Sequence, residues 1–305
     1  MKSKISNVIT ILVLLFAALI MVTEFSGIGK PKKTTETEET LIVTSFYPMY
    51  TLGLNLTEGI DGIRVENLST PQSGCLHDYE PTTEDMRLLT DADIFLVNGG
   101  GMEVFIGDVA KKLPDLKIVD CGSDLRDTID DNSHFWMDIA LYKDQITAAA
   151  EELAVLLPGE KADAVRTNAD KYEGRLDDLL ALADEVSSKA SEAGVSVVNL
   201  QEAFFYTTSE LGLDVIGDID LDEERTPSAA EVSEVVDAIR GASGSVIVLT
   251  DEVFGKKTAD TLAAEGNVKA VYLDTMVFPQ EGEDAAEVYV TRMKANLEAI
   301  MGALD

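Results

Sequence analysis

One apolar stripe near the middle of the chain constrains the fold more than any other feature. Apolar side chains recur there at alternating spacings of three and four residues, with no proline among them: Ala162, Val165, Ala169, Tyr172, Leu176, Leu179, Ala183, Val186 and Ala190. This spacing predicts one amphipathic helix of about thirty residues, or roughly 45 Å. Such a length is unusual inside one α/β lobe, so we interpret the helix as a connector across two lobes. A long surface helix of one domain and a coiled-coil seam are the alternatives.

Short β-rich runs alternate with amphipathic stretches on both sides of this stripe. The alternation is typical of a parallel sheet with crossover helices. We therefore predict an α/β fold with two lobes, each with a mainly parallel sheet flanked by helices, joined by one long rigid backbone helix. The predicted parts are an N-terminal lobe at 41–157, the connecting helix at 158–193 and a C-terminal lobe at 194–305. A chain of 305 residues is long enough for two cores of ordinary domain size.

The first residues have the composition of an export segment. Lys2 and Lys4 precede an apolar run from Val8 to Val22. We predict a hydrophobic anchor or signal at 1–29 and a flexible polar tether at 30–40. An uncleaved anchor on the outer face of the cell membrane is the first choice, and secretion after signal cleavage is the second. This segment contains no cysteine, which argues against a lipid-modified N-terminus.

The charge of the chain excludes one class of partner. The formal net charge is −32. Proteins that bind nucleic acids or anionic lipid surfaces do so through clustered Lys and Arg. We therefore exclude nucleic-acid binding. Export would permit a disulfide between Cys75 and Cys121, but their spacing does not show that they meet.

The only two histidines, His77 and His134, each follow a predicted first-lobe strand through a loop. Gln201 and Asp274 directly follow predicted second-lobe strands. Taken singly, each residue is explained by ordinary packing or capping. Because ligands of open α/β sheets gather at the carboxyl ends of strands, the four together predict a divalent metal site.

Several short segments share the residue pattern of a known family. They are Thr44-Ser45-Phe46-Tyr47-Pro48-Met49-Tyr50, His77-Asp78-Tyr79-Glu80-Pro81-Thr82, Asp91-Ala92-Asp93, His134-Phe135-Trp136-Met137-Asp138 and Leu273-Asp274. On these segments the chain resembles the metal-binding substrate-binding proteins of zinc and manganese ABC importers. The resemblance covers nearly all of 41–305, and the segment that begins at His77 is its most specific part.

This resemblance implies a function and a ligand set. It implies two α/β lobes around one rigid helix, and a chain that captures a metal ion outside the cytoplasm without catalysing a reaction. The implied metal ligands are His77, His134, Gln201 and Asp274. The implied partners are the transmembrane subunits of an ABC permease, and the favoured ion is zinc. We also expect a monomer.

Gln201 departs from the family pattern. The family has His or Glu at this place, whereas the chain reads Gln201-Glu202-Ala203-Phe204. An amide is a neutral, weak ligand for zinc, so Gln201, Glu202 or a water molecule completes the predicted site. Such an oxygen-rich set favours manganese or iron more than three His and one Asp would.

Two other functions are compatible with these residues. One is a cell-surface interaction protein that retains the fold with a degenerate metal site. The other is a zinc hydrolase in which the weak fourth position holds a reactive water and Glu202 acts as the base. Against the hydrolase, the chain has no HExxH spacing, no nucleophile elbow and no phosphate loop. We rank the importer component first, the surface protein second and the enzyme third.

Overall fold

Two parallel β-sheets form the framework of the protein. The computed structural model describes residues 39–68, 79–221, 226–264 and 268–304. The strands in these ranges are β1 (Thr40–Thr44), β2 (Ile63–Asn67), β3 (Ile94–Val97), β4 (Lys117–Asp120), β5 (Ser196–Asn199), β6 (Asp214–Asp218), β7 (Val246–Thr250) and β8 (Val268–Tyr272). One sheet has the order β2-β1-β3-β4 and the other β6-β5-β7-β8, with parallel pairing throughout. These sheets confirm the predicted two-lobed α/β fold.

Helices cover both faces of the sheets, which explains why β1, β3 and β7 are almost wholly buried and apolar. They are α1 (Tyr47–Leu56), α2 (Thr83–Asp91), α3 (Ile106–Lys112), α4 (Ile139–Leu156), α5 (Glu160–Ala193), α6 (Phe204–Glu210), α7 (Ala229–Gly241), α8 (Lys256–Ala263) and α9 (Val288–Ala303). A 3-10 turn at Phe135–Met137 precedes α4.

Helix α5 is the long helix that the apolar stripe predicts. It has 34 residues, or roughly 51 Å at the usual rise. Eight of the nine stripe residues are buried, and Ala162 is half-buried. The helix ends at Gly194, whose left-handed backbone (φ 60°) favours glycine. Helix α5 packs against α1 and α4 of the first lobe and α9 of the second, so it does connect the lobes.

The two lobes share one central core. Leu96 of the first sheet, Leu176 of α5 and Leu249 of the second sheet belong to the same cluster of buried side chains. Smaller clusters on the opposite faces of the sheets surround Phe95 and Val248. A chain of this length is long enough for two separate cores. The structure shows one core that continues from lobe to lobe. A shared, close-packed core favours small tilt or shear movements of the lobes over wide hinge opening.

Side-chain hydrogen bonds precede two of the helices. Asp284 accepts the N–H of Ala286 in a turn, and α9 begins just beyond it at Val288. Ser228 is the N-cap of α7 and forms a capping box with Glu231, which leaves Pro227 outside the helix.

Two sequence-based expectations involve residues outside the described ranges. The apolar run of residues 8–22 lies outside the described residues, and no helix within them is long and apolar enough to cross a bilayer. Cys75 also lies outside the described residues. Cys121 has a fully buried free thiol, and burial raises its pKa well above the usual range. The structure therefore has no disulfide at Cys121.

Glu210 of α6 joins the second lobe to the first. Its Oε1 accepts the backbone N–H groups of Ile139 and Ala140, at 3.0 and 3.3 Å, at the start of α4. Its buried Oε2 has no hydrogen-bond partner among the described residues. Burial raises the pKa of Glu210 to about 8, and the charges of Asp138 and Asp184 contribute in the same direction.

The raised pKa of Glu210 makes the free energy of unfolding depend on pH. An unfolded Glu has a pKa of about 4.3, so between about pH 4 and pH 8 the folded protein holds the proton more tightly. The contribution of Glu210 to the free energy of unfolding is therefore largest below this window and falls as the pH rises through it. Between pH 5 and pH 9 the free energy of unfolding should fall less in Glu210→Gln than in the wild type. The difference between the two decreases should be on the order of 2 kcal/mol. Urea unfolding at both pH values measures this, and identical pH dependence in the two proteins would contradict it.

Candidate metal site

Three polar side chains lie at the carboxyl end of the second-lobe sheet. Gln201 follows β5, Asp251 directly follows β7 and Asp274 follows β8. Strand β7 lies between β5 and β8, so Asp251 lies between the other two residues. Ligands of open α/β sheets bind at this edge. Gln201 and Asp274 thus occupy the edge where the sequence places them.

The imidazole of His134 is oriented by Asn132. The His134 Nδ1 lies 2.9 Å from the Oδ1 of Asn132, which also accepts the backbone N–H of His134 at 3.0 Å. The Nδ2 of Asn132 donates to the backbone carbonyl of Glu202 at 3.0 Å. Since a carbonyl can only accept, the Asn132 amide has a fixed orientation, and Nδ1 of His134 must carry the proton. In the neutral ring the lone pair is then on Nε2, as ligation of a metal through Nε2 requires.

Hydrogen bonds join the loop of His134 to the loops that carry Gln201 and Asp274 in the second lobe. The bond from Asn132 to Glu202 reaches the residue beside Gln201. The indole N–H of Trp136 donates to the backbone carbonyl of Thr275, beside Asp274, at 2.8 Å. The buried Trp136 ring also lies next to the imidazole, with a centroid distance of 5.1 Å. The structure therefore joins the loops of His134, Gln201 and Asp274 across the two lobes.

The side chain of Gln201 is paired with Asp251. Its Oε1 accepts the backbone N–H of Asp251 at 3.0 Å, and its Nε2 donates to the Oδ2 of Asp251. The Oδ1 of Asp251 accepts the N–H groups of Val253 and Phe254 at 2.5 and 2.6 Å. Burial raises the pKa of Asp251, and the negative charge of Asp274 acts in the same direction. Both polar atoms of the Gln201 amide therefore have partners on Asp251.

Asp274 is held by helix α9 and by its own turn. Asn296 exchanges two hydrogen bonds of 2.8 Å with the backbone N–H and carbonyl of Asp274. The Oδ1 of Asp274 accepts the N–H of Met276 at 2.6 Å. These bonds fix both the backbone and one carboxylate oxygen of the residue.

The carboxylate of Asp274 is also paired with Arg292. Its Oδ2 lies 3.2 Å from the Nη1 of this guanidinium, whose side chain is 9% exposed. Arg292 pairs with Glu283 as well, and Glu283 accepts the hydroxyl of Tyr47 at 2.6 Å. Because Tyr47 belongs to α1, a chain of ionic and hydrogen-bonded groups links Asp274 to the first lobe.

Two further residues of the predicted site are His77 and Glu202. His77 lies outside the described residues. Glu202 is half-buried, and burial, together with the charges of Asp220 and Asp131, raises its pKa. Within the described ranges, no three His, Cys, Asp or Glu side chains are close enough to hold a metal ion. The role of His77 as a metal ligand stays a prediction.

Sequence reasoning missed Asp251 and Asn132. Asp251 directly follows the apolar strand β7, so the strand-end rule that selected Asp274 could have found it. Asn132 has no comparable signal, because its role depends on Glu202, 70 positions further along the chain.

A family model and several curated proteins match this chain. The family model described as zinc-uptake complex component A, periplasmic (ZnuA), matches residues 42–303. The high-affinity zinc uptake system protein ZnuA of Bacillus subtilis is 26% identical over 284 residues, which are 86% of this chain and 87% of that protein. The manganese-binding lipoprotein MntA of Halalkalibacterium halodurans is 25% identical over 304 residues, which are 95% and 98% of the two chains.

Solved structures share the fold. The metal-dependent lipoprotein YcdH of Bacillus subtilis has a TM-score of 0.71 and 26% identity, and the match covers 86% of this chain and 98% of that one. The substrate-binding protein FpvC of Pseudomonas aeruginosa, in complex with Mn²⁺, has a TM-score of 0.73 and 22% identity, with coverage of 87% and 98%. The family model spans nearly the whole described chain, and the chain therefore belongs to the zinc-uptake complex component A family.

Proposed function

We propose that the chain binds a divalent transition-metal ion outside the cytoplasm and delivers it to the transmembrane subunits of an ABC importer. Family membership over residues 42–303 is the observation that carries this proposal. The oriented imidazole of His134, joined to the loops of Gln201 and Asp274, supports it in chemical terms.

The proposed ligands are His77, His134, Gln201 and Asp274. An ion held between them would crosslink the lobes, because two ligands come from each side. Asp274 would then exchange its ion pair with Arg292 for the metal. Release would follow when the permease draws the lobes slightly apart, since the shared core favours a small movement.

Zinc is the favoured ion, with manganese and iron as alternatives. The name of the Bacillus subtilis relative specifies zinc, whereas that of the Halalkalibacterium halodurans relative specifies manganese. An imidazole such as His134 suits zinc, while the carboxylate and amide oxygens of the second lobe suit a harder ion.

We place the protein on the outer face of the cell membrane as a monomer. The N-terminal segment would either remain as an anchor or be removed as a signal peptide. The binding component of an importer releases its ligand unchanged, so we propose no catalytic activity.

Calorimetric titration of the purified full chain with Zn²⁺ and with Mn²⁺ tests the function. We expect one ion per chain, and no metal-dependent turnover of generic ester or peptide substrates. A wild-type protein without measurable affinity for either ion would overturn the proposal and favour the surface interaction protein. Metal-dependent hydrolysis would favour the enzyme instead.

A further inference from the structure

We infer that Tyr206 of the second lobe is a positioning residue for the loop that carries His134 in the first lobe. Its hydroxyl holds this loop at two backbone groups, and through Asn132 it fixes the place of the imidazole. The consequence for metal binding rests on the proposed function, whereas the hydrogen bonds that fix the imidazole do not.

The hydroxyl of Tyr206 makes two hydrogen bonds to the loop. It accepts the backbone N–H of Ile129 at 3.0 Å and donates to the backbone carbonyl of Asn132 at 2.7 Å. A hydroxyl has a single proton, so the donor from Ile129 and the acceptor on Asn132 together fix its direction. Tyr206 is only 1% exposed, so water does not take the place of the hydroxyl.

Asn132 transmits this restraint to the imidazole. Its Nδ2 donates to the backbone carbonyl of Glu202 at 3.0 Å. Its Oδ1 accepts from the imidazole Nδ1 of His134 at 2.9 Å. The Tyr206 hydroxyl and the Glu202 carbonyl both belong to the second lobe. Two second-lobe groups therefore hold the residue that orients a first-lobe imidazole.

Further hydrogen bonds hold the rest of the segment against the second lobe. The hydroxyl of Thr207, the next residue of α6, donates to the backbone carbonyl of Met137 at 2.9 Å. The hydroxyl of Tyr289 in α9 donates to the backbone carbonyl of Trp136, also at 2.9 Å. The loop thus belongs to the first lobe in sequence but takes much of its position from the second.

The same loop is also held by the first lobe. The Nδ2 of Asn98, which follows β3, donates to the backbone carbonyl of Ser133 at 2.9 Å. A change in the relative position of the lobes would therefore act on Ser133 from one side and on Asn132 from the other. These residues flank His134 or orient it, so the place of the imidazole depends on the position of the lobes. This dependence would couple metal binding to lobe movement.

Nuclear magnetic resonance of the metal-free full chain, labelled with ¹⁵N at histidine, tests the inference. The chain has two histidines, and His134→Gln identifies the signals of His134. In the wild type we expect a neutral ring that is protonated at Nδ1, with a proton that exchanges slowly because it is bonded inside a buried loop. In Tyr206→Phe this proton should exchange about 10-fold faster, the change in the opening equilibrium that loss of one hydrogen bond causes.

The matched control is Tyr172→Phe. Tyr172 is also buried, and its hydroxyl lies 3.4 Å from that of Tyr142 in the shared core. The control removes a buried phenol oxygen away from the loop, so its His134 signals should match the wild type. Asn132→Ala removes the acceptor itself, and we expect it to abolish the slow exchange at Nδ1. Wild-type signals and exchange in Tyr206→Phe would overturn the inference.

Titration of the same proteins with Zn²⁺ measures the consequence for binding. We expect Tyr206→Phe to bind about 10-fold more weakly than Tyr172→Phe, since loss of an outer partner of a metal ligand costs about 10–100-fold. Equal affinity in these two variants would contradict the positioning role. A wild type that binds no ion would remove the proposed function, and the histidine signals would still decide whether Tyr206 positions the loop.

A measurement on the wild type does not depend on how the variants fold. The backbone N–H of Ile129 is bonded to the Tyr206 hydroxyl, so its hydrogen exchange should be as slow as that of the buried strand β7. Rapid exchange at Ile129, beside slow exchange in β7, would show that the hydroxyl does not hold the loop and would overturn the inference.

Discussion

Replacing His134 with alanine is expected to weaken the binding of a divalent metal ion by about 100-fold or more. Loss of an outer partner of a ligand costs about 10–100-fold, and loss of the ligand itself should exceed this. Asn132 orients the imidazole so that Nε2 carries the lone pair, and no second histidine exists among the described residues to replace it. Calorimetric titration of the variant and the wild type measures the change.

The matched variant at the second lobe is Asp274→Ala. It removes a proposed ligand and also leaves the nearly buried Arg292 without one of its two carboxylate partners. Its thermal stability must therefore be measured beside its affinity. Asp218→Ala, at an exposed strand end of the same sheet, should bind like the wild type. Unchanged affinity in both His134→Ala and Asp274→Ala would remove the proposed site.

Replacing Leu176 with alanine should lower the free energy of unfolding by about 2–5 kcal/mol. Leu176 is fully buried in α5, inside the core that the two lobes share. Its truncation would leave a cavity between the lobes, and a close-packed interior relaxes only partly around such a cavity.

The control for this variant is Asp178→Ala on the exposed face of the same helix. It should change the free energy of unfolding by less than about 0.5 kcal/mol. Urea unfolding of both variants gives the comparison. A Leu176→Ala variant as stable as the control would show that α5 does not carry the shared core.

The fold could be predicted because its signals are local in sequence. The apolar stripe of α5 has the helical period over its whole length, and eight of its nine residues are buried as that period requires. Exact helix starts are harder to predict because they depend on single hydrogen bonds. The side chain of Asp284, for example, accepts the N–H of Ala286 in the turn before α9.

The candidate site could be predicted only in part. The residues at strand ends were accessible from the sequence, because the carboxyl ends of parallel strands meet at one edge. Their partners were not. Gln201 meets Asp251 only because β5 and β7 are neighbours, and Asp274 meets Arg292 only because α9 packs on β8.

The link from Asp274 to Tyr47 suggests how ion binding and lobe position are coupled. Arg292 pairs with both Asp274 and Glu283, and Glu283 also accepts the hydroxyl of Tyr47 from the first lobe. A metal ion that takes over Asp274 would leave Arg292 paired with Glu283 alone.

Metal analysis of the full chain, purified without chelator or added metal, tests the central claim most directly. The account predicts about one equivalent of zinc, manganese or iron in the wild type and a strongly reduced content in a His134→Ala/Asp274→Ala double variant that remains folded. A wild type with no bound transition metal, even after incubation with each ion, would contradict it. Equal metal content in the wild type and the folded double variant would contradict it as well.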